Sequence, residues 1–210
     1  MYIKEYTKKW LIMVDNQLNL VLEYLFLTFR CSYDIIKMIF IERRHHRVFE
    51  IGDKVVYPMH GAGVIEGIEF REILGEKQQY YILSFPMGGM KVMIPTRSVE
   101  DVGMREIISD TDIGKVVQVL GNRSPALPDN WNKRYRVNLE KIKTGDIYEV
   151  ADVVRDLMVR ERDKGLSTAE RKMLTNARQI LISEIVLSTS EDEEDIASMI
   201  DKITLEQGGV

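Results

Sequence analysis

The chain has 210 residues, 45% apolar and 30% charged, with 29 Lys or Arg against 33 Asp or Glu. This is the composition of a globular chain with room for two small domains. It excludes a generally basic nucleic-acid coat, so any affinity for nucleic acid must come from a local patch.

Residues 1–47 differ from the rest. They hold the single cysteine, Cys31, one of the two tryptophans, Trp10, and apolar runs at 18–29 and 35–41. Neither run is a membrane span, because the first is about a dozen residues with Glu23 in its middle, where a spanning helix needs about 20. Asp15 interrupts the apolar run after Lys8-Lys9 and no small-residue cleavage site follows, which argues against a signal peptide. Glu42-Arg43-Arg44 can be encoded as GAAAGGAGG, a bacterial ribosome-binding sequence, and Val48 by GTG, an alternative start, so the expectation is that the protein begins at Val48 and that 1–47 is translated leader. The competing reading is an amphipathic N-terminal helix. Without 1–47 the chain has 21 basic and 28 acidic residues and no cysteine. A lone cysteine permits no internal disulfide and fits a reducing cytoplasm.

From 49 to about 100 the pattern predicts β-structure. Runs at 54–57, 63–69, 79–85 and 90–94 are rich in Val, Ile, Tyr and Phe and are punctuated by Pro58, Gly61, Gly75 and Gly88-Gly89. A sheet this short needs closure to bury a core, which points to a small barrel of SH3 or Tudor type. The alternative is an open antiparallel sheet packed on helices. His60 reads as a turn residue, and Gly61-Ala62-Gly63 lacks both the Lys-Ser/Thr of a phosphate loop and the spaced third glycine of a dinucleotide fingerprint. His45 and His46 stand in a basic run, and no group of Cys and His has metal-ligand spacing. No cofactor and no catalysis are expected.

After Asp101 the period becomes helical, giving an α+β chain with a β domain at 48–102 and a helical domain at 103–210. Ile113, Val116, Val117 and Leu120 have amphipathic spacing and stop at Gly121-Asn122. A loop with Pro125 and Pro128 then leads to Trp131, where a second helix starts. Residues 131–143 contain Lys133, Arg134, Arg136, Lys141 and Lys143 against one acid, Glu140. Arg134, Asn138 and Lys141 fall at i, i+4 and i+7 and are expected on one face, with Leu139 and Ile142 turned to a core. A third helix spans 147–163 and ends at Gly165. Ser167-Thr168-Ala169-Glu170 is a capping box opening a helix through Leu187, and Ser190-Glu191-Asp192-Glu193 repeats the device for a short last helix. Its acids suit the positive end of a helix and are read as solvated.

The tryptophan beside basic residues suggests a nucleic-acid contact: Lys and Arg bind phosphates, while an aromatic wedge can enter the minor groove and unstack a base step. The competing reading is that Trp131 is a core anchor and the basic face merely solvated.

Four segments, 49–61 (FEIGDKVVYPMHG), 130–143 (NWNKRYRVNLEKIK), 150–157 (VADVVRDL) and 165–181 (GLSTAERKMLTNARQIL), resemble the CarD family of bacterial transcription regulators. The resemblance runs in order from about 48 to 190. It implies a Tudor-like domain that binds the β subunit of RNA polymerase, as in the transcription-repair coupling factor, and a helical domain that touches promoter DNA. Trp131 then matches the minor-groove wedge at the upstream edge of the transcription bubble, followed by the basic positions Lys133, Arg134 and Arg136, and Lys141, on the face of Arg134, is expected to contact DNA with them. Arg71 matches a contact to the β subunit. Met93 stands where some relatives carry a basic residue, which implies apolar docking around Met93 and Pro95. A monomer without membrane contact is expected, cytoplasmic and held at the nucleoid through polymerase. A protein-interaction adaptor with a Tudor-like barrel and a buried Trp131 is the alternative.

Overall fold

A computed structural model describes residues 49–73, 75–123, 128 and 130–206. The expectations for 1–47, for the start at Val48 and for Pro125 lie outside the described residues. The strands are β1 (Lys54–Tyr57), β2 (Gly61–Ile73), β3 (Glu76–Ser84), β4 (Lys91–Pro95) and β5 (Arg105–Glu106). They form one antiparallel sheet in the order β4-β3-β2-β1-β5.

Alternation within the strands sends Val55, Ile65, Tyr81, Leu83 and Ile94 into a core that also takes Phe49, Phe85, Val99 and Met104. Ile94 on β4 and Met104 beside β5 belong to opposite ends of the ladder yet enter the same core, so the sheet curls around it as a Tudor-like barrel. The register of β2 on β3 shifts between Ile65 and Gly67, and such a bulge bends a strand. Two expectations need correction. β2 is longer than 63–69, because Gly61, expected as punctuation, pairs with Tyr57 and residues 70–73 continue the ladder on β3 as far as Glu76. β5 lies beyond the expected boundary at 102: Val55 and Val56 pair with Glu106 and Arg105, and a two-residue strand is too short to leave a periodic signal.

The helices are α1 (Ile113–Gly121), α2 (Trp131–Lys143), α3 (Ile147–Lys164), α4 (Thr168–Thr189) and α5 (Glu193–Glu206). Asn130 caps α2 by accepting from the amides of Asn132 and Lys133, and Asp146 caps α3 by accepting from Tyr148. The expected capping box at Ser167 and Glu170 is formed. The last helix has 14 residues, longer than expected, because Ile196 and Ile200 are drawn into the helical core with Leu120, Leu157, Leu181 and Ile185.

The barrel is bonded to the helices along α4. Ser183 Oγ accepts from the Ala62 amide at 2.9 Å, and Lys54 Nζ donates to the Leu187 carbonyl at 2.7 Å. Arg105 Nη1 and Nη2 donate to the two carboxylate oxygens of Glu184 at 2.6 and 2.9 Å, and the Ile108 amide donates to the same carboxylate at 3.0 Å. Gly61 shows how close the approach is. A Cβ there would lie 2.5 Å from Ser183 Oγ, and its φ of +97° is one that only glycine adopts without strain.

Candidate nucleic-acid interface

Helix α2 starts at Trp131, which is 50% exposed. Lys133 and Arg136 are exposed on the same helix, and no ion pair joins either to another described residue. Val137 is exposed beside Arg136, an apolar contribution to this surface that the basic pattern concealed. The buried stripe of α2 is Arg134, Asn138 and Ile142, so the face expected to carry Arg134, Asn138 and Lys141 outward is turned inward at its first two positions.

Two of the expected DNA-contacting cations are therefore corrected. Arg134 is 2% exposed, with Nε and Nη2 donating to Glu170 Oε1 at 2.8 and 2.6 Å and Nη1 to the Pro128 carbonyl at 2.6 Å. A guanidinium buried in this way has no phosphate to reach. Its presence inside the protein is permitted because Glu170 compensates its charge. Lys141 is half-buried and donates to Asp152 at 2.8 Å, with Glu149 at 3.5 Å. Burial alone would lower its pKa, but these acids outweigh burial and raise it, so Lys141 stays charged and is held against α3. Lys143 pairs with Glu140 at 2.9 Å.

Glu170 was legible in the sequence only as a capping residue. Its Oε2 accepts from the Ser167 amide and hydroxyl at 3.0 and 2.8 Å, while Oε1 takes Arg134, which is 36 residues away. Burial raises its pKa, but hydrogen bonds from Ser167 and from Arg134 prevail, and the carboxyl lies below its ordinary value.

On the barrel, residues paired across a ladder share a face. Arg71 pairs with Gln78, Glu69 with Tyr80 and Tyr80 with Pro95, while Ile82 pairs with both Gly67 and Met93. Arg71, Met93 and Pro95, separated by up to 24 positions in sequence, thus stand on one face across β2, β3 and β4, the reverse of the side that sends Tyr81 and Ile94 into the core. Arg71 is exposed and donates through Nε to Glu69 at 2.8 Å. Met93 is 49% exposed and Pro95 half-buried. Phe70, 77% exposed on the other face of the β2–β3 hairpin, was not singled out from the sequence, where an aromatic residue in a strand reads as core. No group of acids, His and Cys among the described residues could hold a metal ion, and no described helix is long and apolar enough to cross a membrane.

A Tudor-like barrel bonded to a set of helices, with an exposed tryptophan and exposed cations on one helix, defines an α+β protein whose distinctive residues among those described lie on its surface. Residues 49–108 match the CarD-like/TRCF RID domain, and residues 115–201 match CarD, C-terminal domain. The chain is 44% identical over 153 residues to YdeB of Bacillus subtilis (strain 168), named as a candidate transcription factor, a match covering 72% of this chain and 99% of that protein. The chain belongs to the CarD family of transcription regulators. It is also similar, at 29% identity over 127 residues, to a DNA-directed RNA polymerase subunit beta of Alkaliphilus oremlandii (strain OhILAs), covering 56% of this chain and 10% of that one. Among solved structures, CdnLNt from Myxococcus xanthus is 48% identical, with a TM-score of 0.27 over 30% of this chain and 89% of that one. The 72-residue N-terminal domain of Myxococcus xanthus CarD is 31% identical, with a TM-score of 0.25 over 28% and 77%.

Proposed function

We propose that this protein regulates transcription initiation by binding the RNA polymerase β subunit through its barrel and stabilising the open promoter complex through minor-groove contact at the upstream edge of the bubble. The polymerase contact is assigned to Arg71, Met93 and Pro95, and the DNA contact to Trp131 with Lys133 and Arg136. The observation that carries the reading is the half-exposed Trp131 at a helix start beside two exposed cations. A core anchor would be covered, and the adaptor reading, which needs Trp131 buried, loses its premise. The match to the CarD-like/TRCF RID domain and the likeness to a polymerase β subunit support the choice of partner.

Binding to polymerase raises the effective concentration of Trp131 near the melting region, so weak DNA affinity suffices. If Trp131 fits the melted junction better than duplex, binding shifts the population toward the open complex by that difference in affinity. Apolar docking at Met93 and Pro95 accompanies Arg71 as the charged contact. No catalytic step is assigned. The protein acts as a monomer in the cytoplasm, at the nucleoid by way of polymerase.

Open-complex lifetime on a responsive promoter tests the assignment. Trp131→Ala should remove most of the stabilisation, about 1–3 kcal/mol by analogy with base–aromatic stacking, while capture by isolated β subunit is unchanged. Arg71→Glu should abolish capture and leave the direct DNA affinity of the full chain intact. Unaltered lifetimes with Trp131→Ala would remove the wedge, and equal losses in both assays for both variants would remove the division of labour.

A further inference from the structure

We infer that Arg134 and Glu170 form a positioning pair that sets the stance of Trp131. This inference rests on the DNA-contacting role of Trp131 for its consequence, though not for its geometry. Trp131 is the first residue of α2, and the cap at Asn130 orders the helix start locally without tying it to the rest of the protein. Arg134 supplies a polar tie, beside Tyr135, which packs on the helical core. Arg134 lies one turn on, on the neighbouring position of the helix surface, and it is buried where Trp131 is half-exposed.

The guanidinium is used on both sides of the tryptophan. Nη1 holds the carbonyl of Pro128, three residues before Trp131, while Nε and Nη2 hold Glu170 Oε1. Both the approach to α2 and its first turn are thereby bound to a single carboxylate. That carboxylate is itself fixed, because Glu170 Oε2 accepts two hydrogen bonds from Ser167 in the capping box of α4. Ser167 Oγ accepts in turn from the Glu170 amide at 3.3 Å. The start of α2 is referred to the start of α4, a helix that also bonds to the barrel through Ser183, Glu184 and Leu187. The chain of contacts from the barrel to the tryptophan is therefore continuous. Arg134 acts through Trp131 and not as a DNA contact. Glu170 combines helix capping with orientation of the tryptophan, which explains why a charged pair is buried where an apolar pair would have filled the space.

Glu170→Gln retains a residue compatible with the capping box and removes the charge that Arg134 needs. Arg134→Lys keeps the cation and removes the planar fork. The full chain with Trp10→Phe has Trp131 as its sole tryptophan, since the sequence contains two. In that background both variants should retain their helical circular dichroism, with lower steady-state anisotropy of Trp131 emission and greater quenching by acrylamide; Lys133→Ala should alter neither. Folded variants with unchanged anisotropy and quenching overturn the inference. In open-complex lifetimes, Glu170→Gln should add nothing to the loss already caused by Trp131→Ala. Losses that multiply would mean that the pair acts independently of the tryptophan and would overturn it too. If Trp131→Ala alone has no effect on lifetime, the DNA reading fails, while the fluorescence still decides the positioning role.

Discussion

The carboxylate of Glu170 shows how much one side chain can carry when it is removed from solvent. Burial disfavours its ionised form, but the Ser167 amide and hydroxyl and the Arg134 guanidinium all donate to that form, and the balance lowers its pKa. A carboxyl whose folded pKa lies below its unfolded one contributes stability that is complete above the ordinary carboxylate range and is lost as pH falls through the folded value. Urea unfolding of the full chain at stepped pH should show wild-type stability declining through the acid range more steeply than that of Glu170→Gln. Parallel acid limbs would mean that the charge of Glu170 contributes nothing to folding. At neutral pH the same substitution should be destabilising, by up to about 3–5 kcal/mol, because the buried charge of Arg134 loses the carboxylate that compensates it.

Helix α2 has one face committed to the protein and one left to solvent. The buried stripe, Arg134, Asn138 and Ile142, faces the helical core, while Lys133 and Arg136 lie outside it. On the proposed reading, the DNA affinity of this helix should therefore depend on two cations, not on the five counted in the sequence. Lys133→Ala with Arg136→Ala should lower the slope of log affinity against log salt by up to about two phosphate contacts' worth, without altering sequence preference. Helix content measured by circular dichroism should not change, since neither residue packs on the core. An unchanged slope would locate the phosphate contacts on another part of the surface. The barrel follows the same principle: the pleat that buries Tyr81, Leu83 and Ile94 leaves Arg71, Met93 and Pro95 together on its outer face.

Over the described residues, barrel and helices belong to one compact unit. Their joint is polar and specific. Arg105 bonds both oxygens of Glu184 and, through Nε and Nη2, the Gly145 carbonyl at 2.9 and 2.6 Å. Glu184 is almost wholly buried, whereas Arg105 retains some solvent. The two partners should therefore be unequal under mutation. Arg105→Ala strands a buried carboxylate and should cost about 3–5 kcal/mol, more than Glu184→Ala, which leaves a cation that still reaches water and two backbone carbonyls. Equilibrium urea unfolding measures both values, and a smaller loss for Arg105→Ala than for Glu184→Ala would contradict this account of the joint. With such a joint, polymerase binding at the barrel would orient the Trp131 helix as well as keep it nearby.

Local chemistry made much of this protein legible from its residues. Alternating β-branched and aromatic runs indicated the strands, helical periodicity indicated the helices, and the Ser167–Glu170 spacing indicated a cap, because each signal depends on neighbours within a few positions. The ordered segments from 49 to 181 also carried the family resemblance. Contacts between distant positions were beyond such reading. Nothing in the sequence joins Arg134 to Glu170 or Arg105 to Glu184, and a basic residue on an amphipathic helix has the same appearance in sequence whether its charge meets phosphate or a buried carboxylate. The inward rotation of α2 was decided by which face of the helix α3 and α4 could accept. The addition of β5 to the sheet depended likewise on partners in β1 some 50 positions earlier. Periodicity reports the faces of a helix or strand; only tertiary packing decides which face is covered, because burial depends on what lies opposite.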